Sequence, residues 1–151
     1  MPGWKVSPPK SDDEYFARMT KALFQAGLNW KMIDDKWPNF EKAFAHFSIP
    51  KIAKYGDRQI AKLMEDQGIV RNERKIRSTI YNAQQSLVIE REFGSFKNYF
   101  KSFDKEHAKL MEDLQRRFKH LGESSSRTFL WMSGVKLEPT AEEKRWMANN
   151  A

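Results

Sequence analysis

Apolar residues in this chain recur at steps of three and four, in short runs cut by glycine, proline or serine, with no one-by-one alternation longer than a few residues. That spacing puts an apolar stripe on each of many short helices and leaves no strand from which to build a sheet. The predicted class is all-α, a compact multi-helix domain. An irregular Pro- and Ser-containing arm covers residues 1–10, and Ser11 followed by Asp12, Asp13 and Glu14 is a helix-start signal. Tyr15, Phe16, Met19, Leu23 and Phe24 then form one stripe, and Gly27 stands where a helix is usually stopped. A short second helix with Trp30 and Ile33 is predicted to end at Trp37-Pro38, since proline disfavours helix in the residue before it. Proline also opens helices well, so a third helix is expected from there, carrying Phe40, Phe44 and Phe47.

Further on, Asp57 caps a helix with Ile60, Leu63 and Met64, and Asn72 caps a longer one with Ile76, Ile80, Ala83 and Leu87. Later stripes run through Phe96, Tyr99 and Phe103, through Leu110, Leu114 and Phe118, and through Phe129 to Met132 before Gly134. The expected organisation is the arm, one helical domain over residues 11–135, and a tail over 136–151. With 151 residues and 40% hydrophobic content, one core is affordable and two full domains are not.

Lys and Arg number 27 against 20 Asp and Glu, and the formal net charge of +7 favours polyanionic partners. There is no cysteine, which excludes disulfides, thiol nucleophiles and Cys-type zinc sites. His46, His107 and His120 fall on separate predicted helices, so neither a metal nor a cofactor is expected. No apolar signal core or membrane-length segment is present, and a cytoplasmic, monomeric protein is the expectation.

The first constellation with chemical content is the turn Gly68-Ile69-Val70 between two amphipathic helices, followed at once by Arg71, Asn72, Arg74, Lys75 and Arg77. A glycine lets backbone approach a phosphate, the amides at the second helix's N-terminus point at it, and the cations neutralise it. The same residues would also make an ordinary helical corner with a solvated basic face. Two further runs accompany the turn: Phe24-Gln25-Ala26-Gly27-Leu28-Asn29-Trp30, and Leu114 to Gly122 continuing to Phe129 and Ser133-Gly134-Val135.

In order and approximate separation, these runs with Gln67 to Ile76 and Asn82-Ala83 resemble the bacterial 3-methyladenine DNA glycosylase I family. The resemblance implies a helix-hairpin-helix fold and a monofunctional repair enzyme that extrudes an alkylated purine from double-stranded DNA and hydrolyses its N-glycosidic bond. Alkylated or abasic duplexes would be its partners. Gly68, Val70, Arg71, Asn72, Arg74 and Lys75 would hold the DNA backbone. Gln25, Gly27 and Leu28 would form a wedge that fills the gap in the duplex. On the other reading, Gly27 only caps its helix and Leu28 packs inward. Trp30 would stack on the extruded base, a cationic one being drawn to the indole face, with Ala22, Thr128, Phe129 and Trp4 framing the slot and Trp131, like Phe129, flanking Thr128. Trp30 at helical spacing from Ile33 would equally serve as plain core.

The departures bear on chemistry. Ala22 stands where the family carries a base-recognising glutamate, the family's Tyr, His and Asp stretch before Glu-Trp-Gly is absent, and its Cys and His zinc site cannot form. Glu14, Asp34, Asp35 and Glu123 are the acidic groups near the proposed loops, and none is singled out as catalytic. The alternatives are a DNA-lesion or DNA-structure binding protein of the same fold with impaired catalysis, and a helical protein-interaction scaffold.

Overall fold

The computed structural model describes residues 6–150 and contains helices α1 (Asp12–Gln25), α2 (Trp30–Ala43), α3 (Ile49–Ala53), α4 (Asp57–Met64), α5 (Glu73–Phe93), α6 (Phe96–Ser102), α7 (His107–Arg117), α8 (Glu123–Met132) and α9 (Ala141–Asn149). No strand occurs among the described residues, in agreement with the helical periodicity. Ser11 and Asn72 cap their helices as read, whereas Asp57, read as a cap, is the first residue inside α4 and Gly56 holds the cap position. Ser11 Oγ accepts from the Glu14 amide, Asn72 Oδ1 from that of Lys75 and Ser95 Oγ from that of Asn98, each satisfying one orphan donor of a first helical turn.

The longest helix, α5, packs against α3, α1, α4 and α6, and α1 also packs against α8. Their shared core is rich in aromatic rings. Phe16, Phe24, Phe40, Phe44, Phe96 and Phe129 are fully buried. At one end Trp37 is stacked between Phe40 and Phe47, with centroids 5.3 and 5.0 Å away. At the other, Tyr15 stacks on Phe96 and meets Phe100 edge-on.

Two local departures have physical causes. The helix expected to break at Trp37-Pro38 does not break: α2 runs unbroken from Trp30 to Ala43 with Pro38 inside it. Pro38 and Asp34 are both exposed, so the ring and the carbonyl deprived of its amide partner face solvent, while Ile33 and Phe40 hold the helix to the core from the other side. The Phe47 predicted for that stripe lies beyond the helix, in a turn where Ala45, His46 and Phe47 all take left-handed backbone (φ 51°, 53° and 58°). Left-handed geometry costs roughly 1–2 kcal/mol per residue without glycine. Here the turn delivers Phe47 into the stack with Trp37, Phe44 and Phe16, and burial of that ring offsets the strain.

The segment after Val135 ends in a helix. Thr140 caps α9, and Glu143 receives two hydrogen bonds from Arg127 of α8, each 3.1 Å. No residue of α9 is buried, so polar contacts rather than a core tether it.

Candidate base recess and nucleic-acid interface

Between α4 and α5 the chain makes a tight hairpin. The Gly68 amide donates to Asp66 Oδ1 (2.8 Å), and Asn39 of α2 donates to the Gly68 carbonyl (3.1 Å). A Cβ at position 68 would lie 3.1 Å from both side chains, so any larger residue has to displace Asn39 and Asp66 by a few tenths of an ångström. Ile69 anchors the turn in the core and Val70 packs partly against it, which leaves Arg71, Asn72 and Arg74 exposed at the start of α5. Neither Arg71 nor Arg74 has a carboxylate within ion-pair distance among the described residues, whereas Arg77 is shared by Glu73 and Asp57. Arg74 also lines a shallow recess with Arg77, Ser78, Lys119 and His120, a cationic extension of the corner that the family resemblance had not suggested. The Ser78 hydroxyl and His120 Nδ1 lie 2.7 Å apart. Burial, with Arg74 and Lys75 close by, holds the imidazole below its ordinary pKa.

Lys75 does not join this exposed set. It is buried, and its Nζ turns inward to donate to the carbonyls of Ala26 (2.9 Å) and Phe24 (3.3 Å) at the C-terminal end of α1. The expected phosphate contact is thereby corrected to a structural one, for a physical reason: α1 ends with unpaired carbonyls, and a cation beside them is favoured by the helix dipole. Desolvation lowers the Lys75 pKa. The result is a direct tie between the hairpin corner and the loop that follows α1.

That loop is open. Ala26 through Lys31 are all exposed, Gly27 takes φ +74° with no heavy atom near its missing Cβ, and Leu28 is 36% exposed rather than packed inward. Asn29 caps α2 by accepting from the Met32 amide. Trp30, first residue of α2, is 41% exposed, which excludes the plain-core reading of this indole. Gln25, expected in the wedge, is instead buried, so the exposed loop offers only Gly27 and Leu28.

Trp30 stands on the wall of an open recess of about 440 Å³ lined also by Val6, Arg18, Lys21, Gln25, Asp34, Trp131 and Met132. This is of ordinary size for a small-molecule site. Other expected wall residues sit deeper. Ala22, Thr128 and Phe129 are buried in the core, Phe129 edge-on to Phe100. The rotation of α8 turns its 128 and 129 faces inward and gives Trp131 to the recess. Trp131 is two residues beyond Phe129, and helix phase decides which of these two aromatics beside Thr128 faces the recess. Trp4 lies outside the described residues.

The charged groups of the recess are mutually engaged. Lys21 Nζ is 2.6 Å from Asp34 Oδ1 and lies over the Trp37 ring. Arg18 donates to the carbonyls of Ser7 (2.5 Å) and Met132 (2.6 Å), strapping the N-terminal arm to the end of α8. Gln25 differs: its Oε1 is buried and has no hydrogen-bond partner among the described residues.

An all-helical domain that ties a cationic hairpin to an exposed loop and an open aromatic recess is a recognisable class. The chain belongs to the methyladenine glycosylase family, whose model matches residues 3–129. It is 33% identical to DNA-3-methyladenine glycosylase 1 of Escherichia coli over 100 residues, 66% of this chain and 53% of that protein. Against the DNA-3-methyladenine glycosylase of Haemophilus influenzae it is 30% identical over 96 residues, 64% of this chain and 52% of that one. The chain spans about half the length of the curated relatives it matches. Among solved structures it resembles 3-methyladenine DNA glycosylase I from Staphylococcus aureus, with a TM-score of 0.79 and 25% identity over 93% of this chain and 87% of that one. No described helix is long and apolar enough to cross a membrane.

Proposed function

We propose that this protein is a monofunctional DNA glycosylase that removes N3-alkylated adenine from duplex DNA. The observation that carries the reading is the exposed Trp30 in an open recess joined, through Lys75 and the end of α1, to the cationic corner at Gly68. On this reading Arg71, Arg74 and the first-turn amides of α5 hold phosphates, Gly27 and Leu28 enter the base stack, and the displaced base lies on the Trp30 indole. Neutralising phosphates supplies affinity without sequence preference, and the wedge offsets part of the cost of unstacking.

The chemistry asks little of the chain. An N3-alkylated adenine is cationic while attached to the sugar, so when the N9–C1′ bond breaks the base departs with the bonding electrons as a neutral molecule. Water adds to C1′ and gives its proton to solvent, leaving an abasic site. Positioning the base away from the stack and admitting water are then the main contributions of the protein. Among the described residues Asp34 is the single carboxylate on the recess wall, and it is already paired with Lys21.

A second reading has its own support. Ala22 supplies no carboxylate where the family resemblance leads one to expect it, and it is buried. A protein that binds lesions without cleaving would keep the corner, the wedge and Trp30. The experiment is release of free 3-methyladenine from methylated duplex DNA, alongside binding to a duplex with an abasic analogue at several salt concentrations. Release well above the spontaneous rate supports the glycosylase. Tight, salt-sensitive binding without release selects the binding protein, and absent or salt-insensitive binding overturns both.

A further inference from the structure

The charged groups on the recess wall already have partners. Lys21 and Asp34 neutralise each other, and Arg18 is committed to two backbone carbonyls. Gln25 is 2% exposed, lines the same recess, and keeps Oε1 buried without a donor. Buried acceptors are nearly always satisfied, and an orphan on the wall of an open site marks a bond that another molecule completes. The side chain comes from the last residue of α1, one helical turn from Ala22. The Ala26 and Phe24 carbonyls that flank Gln25 in the chain are pinned by Lys75, which restrains the backbone from which its amide projects.

A carboxamide offers an acceptor and a donor side by side. The purine edge that matches both is that of an adenine-type base, whose 6-amino group donates and whose N7 accepts. A purine that keeps N7 but lacks the 6-amino group leaves Oε1 unsatisfied. Arg18 and Lys21 against Asp34 also leave the wall with one excess positive charge, so recognition by attraction of a cationic base is weaker here than a carboxylate at position 22 would make it.

Resting on the base-recess reading above, we infer that Gln25 is the specificity-determining residue of this protein, its amide reading the 6-amino and N7 edge of a purine stacked on Trp30. In this chain, hydrogen-bond pattern rather than charge selects the base.

The test uses the full chain and two free bases, 3-methyladenine and 3-methylpurine, which keeps N7 but lacks the 6-amino group, titrated while tryptophan fluorescence and amide NMR shifts are followed. Wild type is expected to bind 3-methyladenine more tightly by roughly 10- to 100-fold, the range for leaving one buried polar group unpaired. In Gln25→Leu the preference falls to within about twofold, through loss of 3-methyladenine affinity. Because that substitution also removes an unsatisfied buried oxygen, the free protein is expected to melt a few degrees higher, which separates lost recognition from lost folding. Equal binding of the two bases by wild type, or an unchanged preference in Gln25→Leu, overturns the role of Gln25 while leaving the recess a base site. Failure of folded wild type to bind either base overturns the recess reading itself.

Discussion

Asn82 and Gln25 carry the same carboxamide and are equally hidden, each 2% exposed, yet they lie in regions built for different ends. Where α5 meets the chain after α7, Asn82 donates to the Lys119 carbonyl (3.0 Å) and accepts from the Lys119 amide (2.8 Å), satisfying both backbone groups of one residue as a neighbouring strand would. Where α1 ends at the recess, Gln25 Oε1 has no donor among the described residues. Burial therefore does not separate a structural amide from one kept for a ligand; the bonding state does. The same division runs through the indoles, with Trp37 clamped between two rings and Trp30 left open.

The comparison breaks most visibly at Asn82. Asn82→Ala removes two hydrogen bonds and strands a buried amide and carbonyl of Lys119, so a loss of about 3 kcal/mol is expected in urea unfolding at unchanged slope. Gln25→Leu should move in the opposite direction. Were both substitutions to destabilise equally, the distinction between the two regions would be lost.

Lys75 sharpens the same boundary. Lys75→Met frees the Phe24 and Ala26 carbonyls and should cost roughly 1–2 kcal/mol, with faster amide exchange over residues 26–29 as the loop loosens. Since its ammonium faces inward, the salt dependence of DNA binding should keep its slope. Arg74→Met should reduce that slope by about one phosphate contact. A slope that falls in Lys75→Met would return Lys75 to the DNA-contacting set.

How much of this was legible in the sequence follows from which interactions are local. The caps at Ser11 and Asn72, the stop at Gly27 and the corner at Gly68 depend on neighbours a few residues away, and they stand where the pattern put them. Continuity of α2 through Pro38 depends on which side of the helix faces solvent, and the left-handed turn at 45–47 on the aromatic cluster it feeds. Neither is encoded locally. The recess was partly legible through Trp30. Trp131 was legible only as one of two aromatics flanking Thr128, since helix phase decides between it and Phe129, and the inward turn of Gln25 and Lys75 arises only when α1 and α5 are packed together.

A smaller effect is expected at Glu90, away from the recess. Partial burial, and the carboxylates of Asp12 and Asp13 nearby, push its carboxyl up from 4.5 to about 7. Between those values the folded state holds more protons than the unfolded one, so stability should fall as pH rises through this window and level off above about pH 8. Glu90→Gln keeps a neutral donor near Asp12 and should flatten that slope, gaining on the order of 1 kcal/mol at pH 8 after allowance for solvent screening. A wild-type stability that rises from pH 5 to 7, with no change in slope in the variant, would contradict the assigned cause.

The smallest expected effect on stability belongs to Trp30. Among the described residues no aromatic ring packs against it, and with 41% of its surface already in water, Trp30→Ala should cost no more than about 1 kcal/mol. Trp37→Ala, which empties the space between Phe40 and Phe47, should cost about 3 kcal/mol. Function should invert the order: Trp30→Ala is expected to weaken 3-methyladenine binding followed by amide NMR shifts and reduce its release from methylated DNA by at least tenfold, with duplex affinity kept by the Gly68 corner. An indole retained at a water-exposed position that adds little to the fold has to be accounted for by what it binds, and undiminished base release from Trp30→Ala would remove that account.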